Sequence, residues 1–536
     1  MDPVPETTIG PANCLATLPV ELIRAVLREM LPYHSITAYE STSNQPQVAL
    51  SYVLSRSDLA SVCQVSQRMH SLAIPFLYHT ILLKSQRELL YFFRTMAEVP
   101  LYRELARVFI WTAMLSKRDF VFTEMVDLST ITLRSEAKDV DTSIFWHPKG
   151  QTEALVGILG SMLAIGGPKE CPVSQILAAA LAMVPEIRVL FLSIHTGCSI
   201  GPLPHPSVAM EITPEHDAIS RLFRTWKYIK KNPLHQVDKL ILEGFHDSNP
   251  TISSVAIDSV LHILQDSPRL RHVMLKSNTV FSGLVRRRTR HRPLPPTILK
   301  HTRTLHHIGG DHPQSGMEHL AIAFPNLVAL HYESKVGAFP KPRGRGYTGF
   351  LNCLTSLSAT LETFSLTTLA GVSWEGTNTP ALLSLALRHM KRLRCLRIET
   401  IWLFGTLDIS AAHYVADLLP VSLVNFHLID YWGSHEPDAL WPQFSNGMTP
   451  FNFIDTVLTS LLQGCRTSLT ELKSLAVTSP IFRRPNNGEC QVDEDIGLLE
   501  NRFCSLFAST GVAFSIIRRE DLGDMMRSSW GRPGVV

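Results

Sequence analysis

One pattern, apolar-x-x-apolar-x-apolar, recurs along most of this chain and limits what it can fold into. It stands at Leu105/Val108/Ile110, Ile187/Leu190/Leu192, Val237/Leu240/Leu242 and Leu270/Val273/Leu275. It returns at Leu361/Phe364/Leu366, Leu393/Leu396/Ile398, Leu423/Phe426/Leu428 and Leu472/Leu475/Val477, with shorter copies at Leu305/Ile308 and Leu327/Leu330. The last two apolar positions are two residues apart, the period of one face of a strand. From Val237 onward most copies follow one another at roughly 30 residues. Pro185, Pro268 and Pro325 stand two residues before three of them. Apolar residues at helical spacing fill the intervals, at 255–264, 381–390, 411–419 and 453–462. A unit of one short strand and one helix cannot bury its apolar face alone, so neighbouring units must stack.

This arrangement resembles an irregular leucine-rich repeat, and the resemblance implies an α/β solenoid over residues 81–525. The rival is an ordinary α/β domain, whose parallel strands would be buried on both faces and read as near-continuous apolar runs. Here many x positions are polar, including Asp238, Lys239, Arg271, His272, Glu362, Arg394 and Arg397. That favours a curved sheet with one solvated face. Thr80-Ile81-Leu82-Leu83 is expected to form the first strand, and Ser85 with Glu88 a capping box for the helix after it. The interval between Leu105 and Ile187 has room for a lost or distorted repeat. Phe514-Ser515-Ile516 reads as a last strand, residues 526–536 as a tail and residues 1–14 as a disordered N-terminus.

The N-terminal region, 15–80, has a different periodicity. Leu18, Leu22, Val26 and Met30 fall at helical spacing, with Ile23 and Leu27 beside them. Thr17 suits the cap of this helix, Pro19 its first turn and Glu21 its positive end. A second helix is expected over residues 57–73, capped by Ser57 or Asp58 and stopped by Pro75. The segment 32–57 between them, rich in Ser, Thr, Asn, Gln and Pro, reads as a loop insertion.

Leu18-Pro19, Glu21, the aliphatics Leu22/Ile23/Val26/Leu27, then Asp58-Leu59, Val62-Cys63/Val65 and Arg68-Met69 resemble the F-box, as found in many fungal proteins. The fold class is therefore expected to be α/β: a small all-α F-box-like module followed by the irregular leucine-rich-repeat solenoid. The resemblance implies a non-catalytic substrate-recognition subunit of a Skp–cullin–F-box (SCF) ubiquitin ligase. Leu18, Pro19, Leu22, Ile23, Val26, Leu27, Leu59, Val62 and Val65 would contain the contact with the Skp-type adaptor, and through it with a cullin–RING ligase. A target protein would lie on the solvated face of the repeats. Candidates there are Lys239, Arg271, His272, Lys276, Arg394, Arg397 and His427, interspersed with Asp238, Glu243, Glu362 and Glu399. Their slight basic excess suits an acidic or phosphorylated target. The alternative is a stand-alone interaction scaffold that has lost the adaptor. The long 32–57 segment, and Met69 where the family often has Trp or Phe, point that way.

Other signals are weaker. With 50 basic and 47 acidic residues the net charge of +3 is too balanced to mark a nucleic-acid or membrane-surface protein. The nine cysteines are scattered without a CxxC, which argues against a disulfide framework or zinc site and suits a reducing, intracellular compartment, cytoplasmic or nuclear. The basic run 286–292 lies in an expected loop insertion, 285–303, bounded by prolines; it reads as a solvated insertion or a nuclear-import signal. Gly344-Arg345-Gly346-Tyr347-Thr348-Gly349 matches the letters of a dinucleotide loop, but Pro340 and Pro342 deny it the strand such a site needs, so it is expected to be a flexible loop. His301, His306, His307, Asp311 and His312 read as a histidine-bearing surface loop rather than a metal site. No motif of a hydrolase, zinc protease or P-loop is present, so no catalytic group and no cofactor is expected.

Overall fold

A computed structural model describes residues 18–31, 45–112, 177, 180–195, 235–245, 267–276, 298–310, 320–334, 345–368, 382–404, 412–429, 450–478 and 490–517. Twelve strands form one sheet in strictly sequential order, and every pairing is parallel. They are β1 (Thr80–Leu83), β2 (Val108–Trp111), β3 (Val189–His195), β4 (Lys239–Phe245), β5 (His272–Lys276) and β6 (Thr304–Gly310). The series continues with β7 (Ala329–Ser334), β8 (Thr363–Thr368), β9 (Cys395–Glu399), β10 (Asn425–Ile429), β11 (Ser474–Thr478) and β12 (Ala513–Ile516). Sequential parallel order with a crossover after each strand is the topology of a leucine-rich-repeat-like solenoid, in which each unit touches only its neighbours.

The register explains the sequence pattern. Leu240, Val273, Leu305, Leu330, Phe364, Leu396, Phe426 and Leu475 are successive register partners. Two residues on, Leu242, Leu275, His307, Tyr332, Leu366, Ile398, Leu428 and Val477 form a second row. Both rows are buried and belong, apart from His307, to one apolar core that runs the length of the sheet. The first apolar residue of the later motifs, such as Leu270 or Leu393, turns into the same core just before the strand. Pro185, Pro268 and Pro325 lie in the turns that bring the chain to that point. The copy expected at Leu105/Val108/Ile110 is one residue out of register: Ala106, Phe109 and Trp111 enter this core, while Val108 and Ile110 lie on the opposite face.

Both ends of the core are closed. Three helices, α1 (Val20–Glu29), α2 (Gln45–Val65) and α3 (Gln67–Leu77), precede the sheet, and α4 (Gln86–Glu98) follows β1. Ser85 Oγ accepts the Glu88 N–H at 3.2 Å, while Glu88 Oε2 accepts the Lys84 N–H at 2.6 Å, so the expected capping box forms at α4 with its return bond one residue early. Leu89, Phe92, Phe93 and Met96 of α4 enter the core, with Phe92 edge-on to Phe109 at 5.7 Å between ring centres. At the other end α5 (Cys490–Ala508) lays Phe507 flat on Phe514 of β12 at 5.3 Å.

Several expectations need correction. Residues 45–57 are not loop: they are the first half of α2, and Ser57 and Asp58 lie inside that helix. The break comes at Ser66, whose hydroxyl accepts the Met69 N–H at 3.1 Å and caps α3. Pro75 does not stop α3 but sits in its last turn, although it has no N–H to give the helix there. The first helix starts at Val20 with Pro19 in the cap position and no side-chain cap bond; Thr17 is outside the described residues. β3 pairs directly with β2, which agrees with a lost repeat in the long interval between them. Residues 345–349 open a helix, Arg345–Leu357, rather than a loop. His306 and His307 belong to β6 and are buried, not displayed on a surface loop. The basic run 286–292, Asp311, His312, the N-terminal residues 1–14 and the tail 526–536 fall outside the described residues.

Candidate functional site

Two surfaces carry the residues singled out by sequence. The first is the helical module. Ile23 and Leu27 of α1 are 1% and 2% exposed and pack with Leu59, Met69 and Ala73 in a core of their own. Val62, Cys63, Leu72 and Phe76 lean on that core from α2 and α3. Met69 is buried at the centre of this packing. The same helix α1 leaves Leu18, Leu22 and Val26 exposed, the last two at 53%. Leu22 and Val26 are four residues apart and share one helix face, and Leu18 stands just before the helix. Val53, Leu54 and Val65 of α2 are exposed as well, and Pro19 stands beside Leu18 at the surface. Arg68 Nη2 donates to Leu18 O at 3.0 Å and fixes the start of α1 against α3.

Of the nine residues expected at an adaptor contact, five are thus available: Leu18, Pro19, Leu22, Val26 and Val65. Ile23, Leu27 and Leu59 are core and hold the helices together; Val62 is half-buried against them. Period alone could not separate the two faces, because both are aliphatic.

The second surface is the sheet face opposite the main core, and it changes character halfway. Leu82, Ile110, Phe191, Ile241 and Met274 are register partners in its central row from β1 to β5. With Tyr52, Val108 and Ile308 they form a second apolar cluster. From β6 the same row reads His306, His331, Ser365, Arg397 and His427. The row beside it carries Glu243, Lys276, Glu333, Thr367, Glu399 and Thr478, all buried.

These polar groups answer one another. His306 Nε2 lies 3.6 Å from Glu333 Oε1, and the His306 and His331 rings meet edge-on at 5.6 Å. His427 Nε2 is 2.9 Å from Thr478 Oγ1. Lys276 Nζ stands 5.9 Å from the centre of the Phe191 ring. Burial raises the Glu333 carboxyl, but its bond with His306 and the charges of His306, Arg397 and Lys276 outweigh this and hold it below the usual value. Burial, helped by Arg397, pushes His427 down to about 3, and burial with His306 and Arg397 beside it holds His331 well below its usual value. Burial also lowers Arg397, against the pull of Glu333 and Glu399.

The expected target-binding residues divide accordingly. Lys276 is 1% exposed and built into the sheet face. Arg397 and His427 are half-buried members of the polar row, and Glu243 and Glu399 are buried beside it. Lys239 and His272, at the first positions of their strands, are half-buried. Arg271 and Arg394 are exposed, but they stand just before β5 and β9, on the rim where strands begin. Tyr52, His331 and Glu333 were missed by sequence reasoning, and His306 was read as a surface-loop residue. The last three sit at alternate positions of strands whose motif was read only in its shortened form.

Among the described residues no group of three His, Cys, Asp or Glu is placed to hold a metal ion, and no helix is long and apolar enough to cross a membrane. No family model and no curated protein matches the chain. Among solved structures, a crystal structure of a TLR13–ssRNA13 complex aligns with a TM-score of 0.28 and 13% identity, over 56% of this chain and 30% of that one.

Proposed function

We propose that this chain is a non-catalytic substrate receptor of a Skp–cullin–F-box ubiquitin ligase, with the helical module as the adaptor-docking end and the solenoid as the target-holding end. The observation that carries this reading is the division of α1 into two aliphatic faces. Ile23 and Leu27 satisfy the module's own core, and Leu18, Leu22 and Val26 are left over on the outside. A helix that only covered the end of the solenoid would not retain such a stripe, since exposed apolar patches mark interaction sites. Anchors at i and i+4, with Leu18 beside them at the helix start, suit a helix laid against a partner's helices. The receptor would act by raising the concentration of a bound target near a ubiquitin carrier, which requires no reacting group in this chain.

The test is co-purification of the full chain with a Skp-type adaptor, using Leu22→Asp/Val26→Asp as the disrupting variant. Both positions are exposed, so the variant keeps its fold, whereas a change at Leu27 would confound binding with unfolding. A one-to-one complex lost in the variant is the expected result. A folded wild-type chain that does not retain the adaptor sinks the receptor reading and leaves a repeat scaffold.

A further inference from the structure

We infer that the rim along which the strands begin is a docking surface for an extended acidic polypeptide segment. That this segment belongs to a ligase target rests on the receptor reading above; that it is acidic rests on the rim alone.

The residue just before each strand is held in a fixed ladder. The carbonyl of Arg188 accepts N–H groups from Asp238 and Lys239, that of Asp238 from Arg271 and His272, and that of Arg271 from Arg303 and Thr304, all at 2.8–3.0 Å. The same step repeats through Arg303, Val328, Glu362, Arg394, Val424 and Lys473. Rim side chains are therefore spaced by the distance between strands, about 4.8 Å. Arg188, Arg271, Arg303, Arg394 and Lys473 lie on this line and are all exposed. At β5 and β6 the charge thickens, because exposed Arg269 and Lys300 flank Arg271 and Arg303. Arg269, Arg271, Lys300 and Arg303 form no ion pair among the described residues, and Arg303 Nη1 donates only to the Asn326 carbonyl at 3.3 Å. Of the two acids on the line, Glu362 is already engaged by Arg392 at 3.0 Å.

The other long surface does not offer this. The central row of the sheet face opposite the core is apolar and buried from β1 to β5, and the charged groups of that face, from Glu243 and Lys276 to Glu333 and Glu399, are buried. The free positive charge is on the rim.

The occupant is a polypeptide rather than a nucleic acid. Single-stranded nucleic acid is held by bases stacking on aromatic side chains, and none of the ten rim positions from Arg107 to Lys473 is aromatic. A phosphate backbone repeats its charge without interruption and would meet Asp238 and Glu362, whereas a polypeptide can set a neutral or basic side chain at those steps. Individual exposed ion pairs are weak, so binding should depend on several at once and fall with salt.

The experiment is fluorescence anisotropy of a labelled, glutamate-rich peptide with the full chain, Arg271→Glu/Arg303→Glu, and Arg24→Glu/Arg28→Glu. The two variants change net charge equally, but the second alters only exposed positions on α1. Expected are salt-sensitive binding by wild type, a loss of about tenfold in the rim variant and little change in the α1 variant. Equal losses in both variants, or none in the rim variant, overturn the proposal. Displacement of the peptide by oligothymidylate more readily than by unlabelled peptide overturns the polypeptide assignment. Adaptor co-purification with the rim variant keeps the two readings apart. Adaptor bound but peptide lost supports the rim, and peptide bound by a wild-type chain that lacks adaptor affinity removes only the ligase role.

Discussion

The Tyr52 hydroxyl of α2 closes the open edge of the sheet at Leu82, accepting its N–H at 3.2 Å and donating to Thr80 O at 3.1 Å. β1 is the first strand, so these two backbone groups face away from β2 and have no strand to pair with. An unpaired edge is a template for other chains, and proteins of this kind need a cap. Arg56 Nη1 donates to the same hydroxyl at 2.9 Å and fixes it. The helical module is thereby joined to the solenoid by a buried bond rather than a swivel. Tyr52→Phe keeps the ring in its apolar cluster and removes only the oxygen. It should destabilise by about 1–3 kcal/mol, because the freed backbone groups stay buried. Urea unfolding measures the loss, and amide exchange at Leu82 should accelerate. An unchanged exchange rate there would show that the edge is satisfied in another way.

The two faces of α1 predict opposite responses to truncation. Ile23→Ala or Leu27→Ala should cost about 2–5 kcal/mol, since each leaves a cavity between α1, α2 and α3. Leu22→Ala and Val26→Ala should stay within about 0.5 kcal/mol of wild type. Thermal unfolding of the four variants checks this directly. A cost at Leu22 comparable to that at Leu27 would mean that the outer stripe is covered in the free protein, and the adaptor reading would lose its surface.

The repeat was legible because its apolar residues face one continuous core, and a period of two on a strand leaves no choice of face once Leu240 and Leu242 point inward. The ends were less legible. Ser57 and Asp58 have the chemistry of a cap, yet they occupy the middle of α2, because the residues from Gln45 onward already form helix and a polar side chain on its exposed side costs little. Ser66, with the same chemistry, is the cap that is used. The polar face of the sheet was half legible: Lys276 and Arg397 were found as polar x positions, but their burial depends on which charges stand on neighbouring strands. Glu333 is separated from Lys276 by a whole repeat in sequence and by the single strand β6 in space. The rim emerged only with the register: Arg271 and Arg394 were singled out as polar x positions, but Arg188 and Arg303 join them on one line only once the carbonyl ladder is known.

Acid should destabilise the polar stretch of the sheet face from β6 to β11. His331 and His427 are held neutral by burial, with folded values below their ordinary one. The unfolded chain therefore binds more protons as pH falls below about 6.5, and stability declines from there downward. His427 contributes over the window from about 6.5 to about 3. Glu333, held below the usual carboxylate value, adds its own loss only at lower pH, as it protonates below about 4.5. His427→Gln retains a group that can reach Thr478 and removes one of these sites. Between pH 7 and 5 the variant should lose about 1–2 kcal/mol less than wild type in urea unfolding. Parallel pH profiles for the two proteins would show that His427 is not held neutral in the fold.

Gly464 offers the sharpest test of helix packing on the side of the core opposite the polar face. It lies within the helix Pro450–Thr467, where alanine is intrinsically better than glycine by about 1 kcal/mol. A methyl group at this position would collide with the Ala416 side chain on the short helix Val415–Leu418, and it would press on Leu469 Cδ1 at 3.3 Å. The Gly464 carbonyl is also fixed, accepting N–H groups from Ser468 at 2.9 Å and Leu469 at 2.8 Å. The neighbour on Val415–Leu418 is a side-chain carbon next to its own backbone, so it cannot swing aside as the end of a long side chain would. Overpacking of this kind costs about 1–3 kcal/mol and should exceed the helical gain. Gly464→Ala is expected to lower stability despite its better helix propensity, and Ala416→Gly in the same chain should recover most of the loss by removing the opposing methyl. A stabilised single variant, or a double variant no better than the single, would show that the two helices are not in the close approach described.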